Sequence, residues 1–311
     1  MVITVAIPCY KSAKTLPVVV EGIRKAFAER PAYSCQLILV NDGSPDDGAT
    51  TAVIKEICEK DPSIIGIELG KNYGQSAARM AAFPYAEGDV LVYLDDDGQH
   101  DPNDLFKLVN AIENGMDLAY ADFHGKKHTL FKRFTSWLNG EILSATIHKP
   151  KNIHTSSFVA FSSYLIKKFK EYRSPYISFI GFALQHTSRI VNVPITHHER
   201  MEGKSGYTLR KMFALFGDGL FSFSIVPLRL IGLVGFVSLA VSILFYIAAI
   251  IVACLHHPAG TLVVLGCAFL IGAALLFGEV LIGEYLGRNC MIQNQLPQYS
   301  VREVLNHKKI G

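Results

Sequence analysis

The sequence has little charge, and the shortage falls mainly in one region. Only 18% of its 311 residues are Asp, Glu, Lys or Arg, whereas about a quarter is usual for soluble globular chains. No such residue occurs from Leu230 to Gly278. The rest of the chain has an ordinary globular composition, which excludes a disordered chain and a collagen-like one. We therefore predict a globular part of one or two domains joined to a membrane segment.

The chain also lacks the signatures of several other protein classes. Its six cysteines are scattered without a C-x-x-C pair, so we expect reduced packing residues rather than a disulfide scaffold or a metal cluster. The net charge is only +3 and no basic and aromatic recognition motif occurs, which argues against nucleic-acid binding. Residues Met1–Pro8 lack a basic lead and a long apolar core, so we predict a buried strand there rather than a signal peptide.

Short β-branched runs alternate with helical periods over the first 120 residues. The predicted strands are Ile3–Ile7, Leu37–Val40, Ile64–Leu69, Val90–Leu94 and Leu118–Ala121. Between them, apolar residues recur at helical spacing. This alternation predicts an α/β fold with a Rossmann-like, mostly parallel sheet covered on both faces. Ligands of such sheets bind outside the carboxyl ends of the strands, so we expect the functional residues there.

Two uncharged runs, Leu230–Leu255 and Ala259–Gly278, are long enough to cross a membrane. As helices they would measure about 39 Å and about 30 Å, against a hydrocarbon core of about 30 Å. Only the residues from His256 to Pro258 connect them, which predicts a two-helix transmembrane hairpin. Basic residues flank only the open side of this hairpin, so the positive-inside rule places both termini and the globular domain in the cytoplasm.

The sequence divides into four predicted parts. Aromatic and basic residues interleave before the hairpin, which favours a helix lying in the membrane interface. Residues 123–173 hold ten Lys or Arg against two acidic residues, which indicates either a solvated face or a surface for lipid headgroups or a phosphate-bearing substrate. The predicted parts are a globular domain at 1–207, an amphipathic juxtamembrane segment at 208–228, the hairpin at 229–287 with helices at about 230–255 and 259–282, and a cytoplasmic C-terminal tail at 288–311.

Three adjacent carboxylates follow the predicted strand Val90–Leu94. Their mutual repulsion is tolerable mainly when a cation or ordered donors neutralise them, and Mg²⁺ typically takes one or two protein carboxylates together with phosphate oxygens. Alternation along the chain sends Asp95 and Asp97 to one side and Asp96 to the other. We therefore predict metal binding by Asp95 and Asp97, and a helix-capping role for Asp101.

The predicted strand Leu37–Val40 also ends in polar residues, among them Asp42. These residues alone would be typical of a turn and a helix cap. Because Tyr10 follows the neighbouring first strand, Asp42 could instead accept a hydrogen bond from a nucleobase that packs on the Tyr10 ring. A phosphate loop at Lys204 is excluded, since its pattern requires glycine where His198 stands. No G-x-G-x-x-G motif follows the first strand, which argues against a dinucleotide oxidoreductase.

Taken in order, these and further motifs resemble the family-2 glycosyltransferases that load sugars onto polyprenyl phosphates. The motifs are Ile7-Pro8-x-Tyr10, Asn41-Asp42-Gly43-Ser44, Asn72-Tyr73-Gly74-Gln75, Asp95-x-Asp97-Gly98-Gln99, His197-x-x-Arg200-x-x-Gly203-x-Ser205-x-Tyr207, Pro227-Leu228-Arg229 and Gly283-Glu284-Tyr285-Leu286-Gly287-Arg288. The resemblance runs nearly from end to end. Each motif is weak alone, but their order together with the hairpin is specific.

The resemblance implies a GT-A fold, a nucleotide-diphosphate sugar donor that is UDP-linked in the nearer relatives, a Mg²⁺ or Mn²⁺ ion, and inverting transfer to polyprenyl (undecaprenyl) phosphate. It implies an integral protein of the bacterial inner membrane that serves cell-envelope glycan synthesis. The residues it implies are Pro8, Tyr10, Asp42 and Asp96 for the nucleotide, Asp95, Asp97 and Gln99 for the metal, and Arg200 for a phosphate, with Asp95, Asp97 and Arg200 as the catalytic set.

The sequence departs from this family pattern in three places. Many relatives carry an acidic residue and an arginine in the segment that here reads Ser156–Val159, so a carboxylate base has no obvious owner and Ser157 is a poor substitute. Lys204 stands two residues before the position, here Gly206, where many relatives have lysine. Phe123 stands where arginine is frequent, which leaves Lys126 or Lys127 as a candidate phosphate contact.

A non-catalytic membrane protein that binds nucleotide-sugar or lipid carrier and assists a partner is the alternative. A transporter is disfavoured, because two helices without intramembrane ionisable residues are too few for a substrate path. Whether the chain forms a homo-oligomer stays open.

Overall fold

The computed structural model of the protein describes residues 1–123, 149–150, 152–174, 176–195, 260–293 and 297–307. Several sequence predictions fall outside these ranges. They are the juxtamembrane segment at 208–228, the first apolar run at 230–255, and the candidate phosphate contacts Lys126, Arg200 and Lys204.

An eight-stranded mixed sheet forms the centre of the described structure, in the order β7-β5-β6-β4-β1-β2-β3-β8. The strands are β1 Val2–Cys9, β2 Ser34–Asn41, β3 Ile65–Leu69, β4 Val90–Tyr93, β5 Leu118–Phe123, β6 Val159–Ser162, β7 Ile190–Ile195 and β8 Val301–Leu305. Strands β4, β1, β2 and β3 are parallel to one another, and β5 is parallel to β7. Strand β6 is antiparallel to β4 and β5, and β8 is antiparallel to β3. The predicted α/β class with a mostly parallel sheet is confirmed.

Helices connect the strands and cover the sheet. They are α1 Leu16–Ala28, α2 Ala49–Lys60, α3 Gln75–Ala82, α4 Leu105–Glu113, α5 Ser163–Glu171, α6 Phe179–His186 and α7 Gly260–Gln293. Helix α1 buries Val20, Ile23 and Phe27, the residues that recur at helical spacing in the sequence. A short 3₁₀ helix, Pro102–Asp104, precedes α4, and the Asp101 side chain caps it by accepting from Asn103 N.

The hydrophobic core lies in two layers, one on each face of the sheet. Ile3, Val5 and Ile7 of β1 belong to the first layer, whereas Ala6 of β1 and Ile38 of β2 belong to the second. Because parallel strands are buried on both faces, their sequences are almost continuously apolar. This is the reason that the five predicted strands could be located in the sequence.

The C-terminal part of the chain shows one helix of the predicted two-helix hairpin. Among the described residues, one helix is long and apolar enough to cross a membrane, and the first run of the predicted hairpin, 230–255, lies outside these residues. This helix, α7, continues to Gln293, past the predicted end at residue 282. An ion pair of 2.8 Å between Glu284 and Arg288, one helical turn apart, supports the extension.

The segment predicted as a separate tail at 288–311 instead returns to the sheet. Its strand β8 pairs with β3, with Ile67 opposite Val304 and Glu68 opposite Glu303. Gly70 N also donates to Ser300 O over 2.8 Å. The edge of β3 is therefore covered by a strand that lies more than 230 residues later in the chain, a long-range pairing that local patterns do not reveal.

Candidate active site

The candidate active site lies at the carboxyl ends of β1 and β4. The chain runs from β1 through β2 to β3 on one side and then crosses to β4 on the other side of β1. The crevice between β1 and β4 is therefore the point where the strand order reverses, and ligands of open α/β sheets bind at such points. Tyr10 follows β1 at this crevice, and Asp95, Asp96 and Asp97 follow β4.

Asp96 joins the two sides of the crevice. Its Oδ2 accepts from Tyr10 N over 3.1 Å and from the Ser12 hydroxyl. Burial raises the pKa of Asp96 and the nearby Asp95 charge raises it further, whereas the bonds from Ser12 and Tyr10 oppose the shift. The side chain predicted to contact the nucleotide thus holds the loop after β1 against the loop after β4.

Asp95 accepts hydrogen bonds on both carboxylate oxygens. Gln75 Nε2 at the start of α3 donates to Oδ1 over 3.0 Å, and Ser157 Oγ donates to Oδ2 over 2.6 Å. His100 Nε2 lies 3.2 Å from Oδ2. Burial of Asp95 opposes ionisation, but the contacts with His100 and Ser157 outweigh it, so the pKa of Asp95 lies below its usual value. Asp95 is therefore an ionised, positioned carboxylate.

The His100 ring is fixed by packing between two aromatic rings. Its centroid lies 5.3 Å from that of Phe123 and 4.8 Å from that of Phe158, with interplanar angles of 13° and 29°. The sequence analysis did not predict a role for His100, although His100 directly follows Gln99 of the acidic motif. Its role depends on strand β6, which brings Phe158 beside β4.

Asp97 is the second carboxylate predicted to bind the metal. Its side chain is partly exposed, and Oδ1 accepts from Gln99 N over 3.0 Å, which forms a turn after β4. Within the described ranges, no three His, Cys, Asp or Glu side chains are placed to hold an ion together. Mg²⁺ and Mn²⁺ need fewer protein ligands when substrate phosphates complete the shell. The hard oxygens of Asp97 and Asp95 fit such an ion.

A buried arginine lies beneath the same edge of the sheet. The Arg79 guanidinium of α3 lies 4.6 Å from the ring centroids of both Tyr93 and Phe179, and the residue is 9% exposed. Its Nε and Nη2 atoms are buried and have no hydrogen-bond partner among the residues that the structure describes. The Arg79 charge contributes to the low pKa of Asp95. The sequence analysis did not identify Arg79 as a functional residue. Its one indication in the sequence is a charged residue among the alanines of α3.

Asp42 shapes the loop that precedes α3. Its Oδ1 accepts from Tyr73 N over 2.8 Å and its Oδ2 from Gly74 N over 2.9 Å. The residue is 4% exposed, and burial raises its pKa while these two bonds oppose the shift. Pro8 is buried within β1, whereas Tyr10 is 44% exposed. Of these predicted nucleotide contacts, Tyr10 alone presents its side chain to solvent, and base contact by Asp42 stays a prediction.

Comparison with known proteins adds a family to this geometry. Residues 4–173 match the profile of glycosyl transferase family 2. The chain is 28% identical to an undecaprenyl-phosphate 4-deoxy-4-formamido-L-arabinose transferase from Pseudomonas fluorescens, over 98% of this chain and 90% of that relative. It is 26% identical to the protein of the same name from Aeromonas hydrophila, over 97% and 94%.

Solved structures are more distant. Glucosyl-3-phosphoglycerate synthase from Mycobacterium tuberculosis superposes with a TM-score of 0.48 at 17% identity, covering 70% of this chain and 80% of that one. A mannosyltransferase from Pyrobaculum calidifontis, in complex with GDP-Man and Mn²⁺, superposes with a TM-score of 0.43 at 14% identity, covering 94% and 86%.

Proposed function

The chain belongs to glycosyl transferase family 2, and from this premise we propose that it transfers a sugar from a UDP-linked donor to polyprenyl (undecaprenyl) phosphate. The transfer inverts the anomeric centre, depends on Mg²⁺ or Mn²⁺, and takes place in a GT-A domain at the cytoplasmic face of the membrane. The observation that carries this proposal is the Asp95 carboxylate, held by Gln75, Ser157 and His100, next to Asp97 at the crevice between β1 and β4. The nearly full-length relatives named for undecaprenyl phosphate support the acceptor.

The residues after β4 suit a diphosphate leaving group. When bound by Asp97 and Asp95, with Gln99 beside them, a divalent ion would stabilise the negative charge that grows on the departing nucleotide diphosphate. Gln75, Ser157 and His100 hold the Asp95 carboxylate in place. Their fixed geometry means that little reorganisation is needed when the charge develops.

The nucleotide would lie along β1 and the loop after it. The exposed Tyr10 ring offers a face for the base, while Pro8 and Asp42 shape the wall behind it and Asp96 holds the Tyr10 backbone. Arg200, which lies outside the described residues, would contact a phosphate. These assignments explain why the loop after β1 is tied to the metal-binding loop.

A phosphate acceptor removes the need for a strong base. Phosphate monoesters have a second pKa of about 6, so the attacking oxygen is already anionic at neutral pH. This chemistry fits a site in which Ser157 stands where many relatives have acidic residues, and in which Ser157 donates to Asp95. Lys126 and Lys204 would position the acceptor phosphate. Ser157, predicted as a third contact, would have to release Asp95 to donate its one hydroxyl proton to that phosphate. The exposed apolar side chains of α7 would keep the protein at the bilayer that contains the lipid.

A transfer assay with the purified chain tests this proposal. Radiolabelled UDP- and GDP-sugars are incubated with undecaprenyl phosphate and Mn²⁺ or Mg²⁺, and label is counted in the butanol-extractable lipid. We expect label from one UDP-sugar, none after EDTA, and none when undecaprenol replaces undecaprenyl phosphate. Binding of nucleotide without lipid labelling from any donor would contradict the proposal and favour the non-catalytic alternative.

A further inference from the structure

Three polar residues lie in one row across the active-site edge of the sheet. Val159 of β6 is opposite both Tyr120 of β5 and Tyr93 of β4. Two residues further toward the edge on each strand, the same register brings Asp122, Ser157 and Asp95 into line. Two hydrogen bonds show that this register continues beyond the paired residues of the strands. Ala121 N donates to Phe158 O over 3.0 Å, and Ser157 Oγ donates to Asp95.

This register places the Asp122 carboxylate on the same face of the sheet as Asp95. Tyr120 and Tyr93 pack in the same core layer, and side chains two residues apart on a strand point to the same face. With one strand between them, the backbones at Asp122 and Asp95 are about 10 Å apart, since neighbouring strands are spaced by about 4.8 Å. That is roughly the width of one sugar ring with its hydroxyl groups.

Asp122 is accessible and held in position. Its side chain is 24% exposed, and its Oδ1 lies 3.6 Å from Nδ1 of His154, whose side chain is 68% exposed. The backbone of His154 is fixed in turn, because Asn192 Oδ1 accepts from His154 N and Asn192 Nδ2 donates to His154 O, both over 2.7 Å. A ligand bound next to Asp95 can therefore reach Asp122 from solvent.

We propose that Asp122 accepts a hydrogen bond from a hydroxyl or amino group of the donor's sugar, and so determines sugar specificity. This inference rests on the proposed function. A carboxylate repels the anionic diphosphate and the anionic acceptor phosphate, so the partner of Asp122 is an uncharged donor. The nucleoside also has such donors, but the proposed function places it along β1, three strands away from β5, so the sugar is the part of the substrates that Asp122 would contact. Asp122 thus supplies, from β5, a carboxylate that the segment Ser156–Val159 lacks.

Binding to the full-length protein tests the assignment without requiring turnover. Affinities of wild type and Asp122→Asn are measured for UDP, UDP-glucose, UDP-N-acetylglucosamine and UDP-4-deoxy-4-formamido-L-arabinose in the presence of Mn²⁺. Because asparagine replaces the charged acceptor with a weaker, neutral amide oxygen, we expect the best-bound UDP-sugar to lose about tenfold in affinity, with UDP unchanged. Glu59→Gln, an exposed charge removal on α2, is the matched control and should bind every probe as wild type does.

Each outcome decides the inference. Selective loss of UDP-sugar affinity supports it, whereas equal losses for UDP and UDP-sugar, or no change for any probe, overturn it. The transfer assay on the same preparations separates the two proposals. Selective loss of binding in a protein that labels no lipid would contradict the proposed function alone. Lipid labelling by a variant with unchanged sugar affinity would contradict the Asp122 assignment alone.

Discussion

At the scale of single residues, three consecutive carboxylates after β4 have different surroundings. Asp95 is fixed by side chains and has a lowered pKa, Asp96 is tied to the loop after β1 and has a raised pKa, and Asp97 is partly exposed at the turn. These surroundings distribute charges that would otherwise repel one another. Asp97, which neither joins the two loops nor accepts from Ser157, is the carboxylate that we assign to a metal-bound diphosphate together with Asp95.

Asp97→Asn should therefore abolish most metal-dependent transfer. Loss of one of the two carboxylate ligands weakens metal binding, and we expect the rate at limiting Mn²⁺ to fall by about 100-fold. The measurement is the Mn²⁺ dependence of lipid labelling. Asp101→Asn is the matched control, because asparagine also caps helices and should leave the rate unchanged. Equal Mn²⁺ dependence of Asp97→Asn and wild type would refute the assignment.

Asp42→Asn should lower stability, because the two oxygens of Asp42 serve two backbone N–H groups. An asparagine side chain has one carbonyl oxygen, so either Tyr73 N or Gly74 N would lose its bond to residue 42. Gly74 N also donates to Asn72 Oδ1 over 3.0 Å and both groups are half-buried, so we expect a cost of about 1 kcal/mol. Thermal melting of the purified protein measures this cost. Asp47→Asn is the control, since Asp47 is exposed and has a φ of 52°, which asparagine adopts readily. A melting temperature equal to that of wild type would show that the two bonds contribute nothing.

The predictable residues were those at the ends of parallel strands. Asp95, Asp97, Tyr10 and Asp42 could be placed at one edge because each lies within three residues of the end of a predicted apolar strand. The contacts of Ser157 and His100 with Asp95 could not be foreseen, because they require β6 to lie between β4 and β5. That arrangement is a property of strand order, which no local pattern records.

At the scale of elements, the connection from α7 through β8 ties the end of the chain to the sheet. Tyr176 is covered by the Arg288 guanidinium of α7 at 4.2 Å from the ring centroid. Glu68 and Glu303 face each other across β3 and β8, but Lys55 pairs with Glu303 at 3.0 Å and Asn41 donates to Glu68. Both charges of the like pair are thus compensated, which permits the pairing.

Asn306 anchors the end of β8 and provides a sensitive test of this connection. Its Nδ2 donates to Cys58 O and Ile64 O over 2.7 and 3.0 Å, and its φ is 58°. Asn306→Gly should lose the two bonds and so lower the free energy of unfolding by about 1 kcal/mol for each bond. Asn306→Ala should lower it by about 1 kcal/mol more, because alanine disfavours positive φ. Stability is measured by the melting temperature and by limited proteolysis of residues 297–307. We expect wild type to be the most stable, the glycine variant less stable and the alanine variant the least stable. A glycine variant as stable as wild type would contradict the anchoring role.

The sequence identified five of the eight described strands, and the other three are not part of the regular β-α alternation of the first 120 residues. Strands β7 and β8 lie at the two edges of the sheet and carry polar residues or proline, so they lack the continuous apolar run of a buried parallel strand. Strand β6 is buried but antiparallel to both of its neighbours. The pairing of all three strands depends on partners distant in sequence, so periodicity could not reveal it.

At the scale of the whole molecule, α7 is the described element that suits a bilayer. Its 34 residues extend about 51 Å, longer than the hydrocarbon core of about 30 Å. Leu275, Phe277, Val280 and Ile282 are each more than half exposed. An apolar surface of this kind is stable against lipid rather than water.

The full-length protein should accordingly behave as an integral membrane protein. After expression and cell breakage, we expect it to sediment with membranes and to stay in the pellet through alkaline carbonate extraction, which removes peripheral proteins. A soluble cytoplasmic protein in the same lysate provides the control. Release of the chain into the carbonate supernatant would contradict membrane integration.

The family and the α/β class could be predicted from the sequence, because ordered motifs and alternating apolar runs record them directly. The extent of α7 could not, since its charged residues after Gly278 resemble the start of a polar tail. Only the ion pair between Glu284 and Arg288 and the contact with Tyr176 explain why the helix continues.

The central claim is that the sugar alone moves, from a nucleotide diphosphate to the oxygen of a polyprenyl phosphate. The most direct test is mass spectrometry of the lipid and nucleotide products formed from undecaprenyl phosphate, Mn²⁺ and the UDP-sugar that labels lipid. We expect undecaprenyl monophosphate linked to the sugar, together with an equal amount of UDP. A sugar linked through a diphosphate with release of UMP, or UDP release without a lipid product, would contradict it.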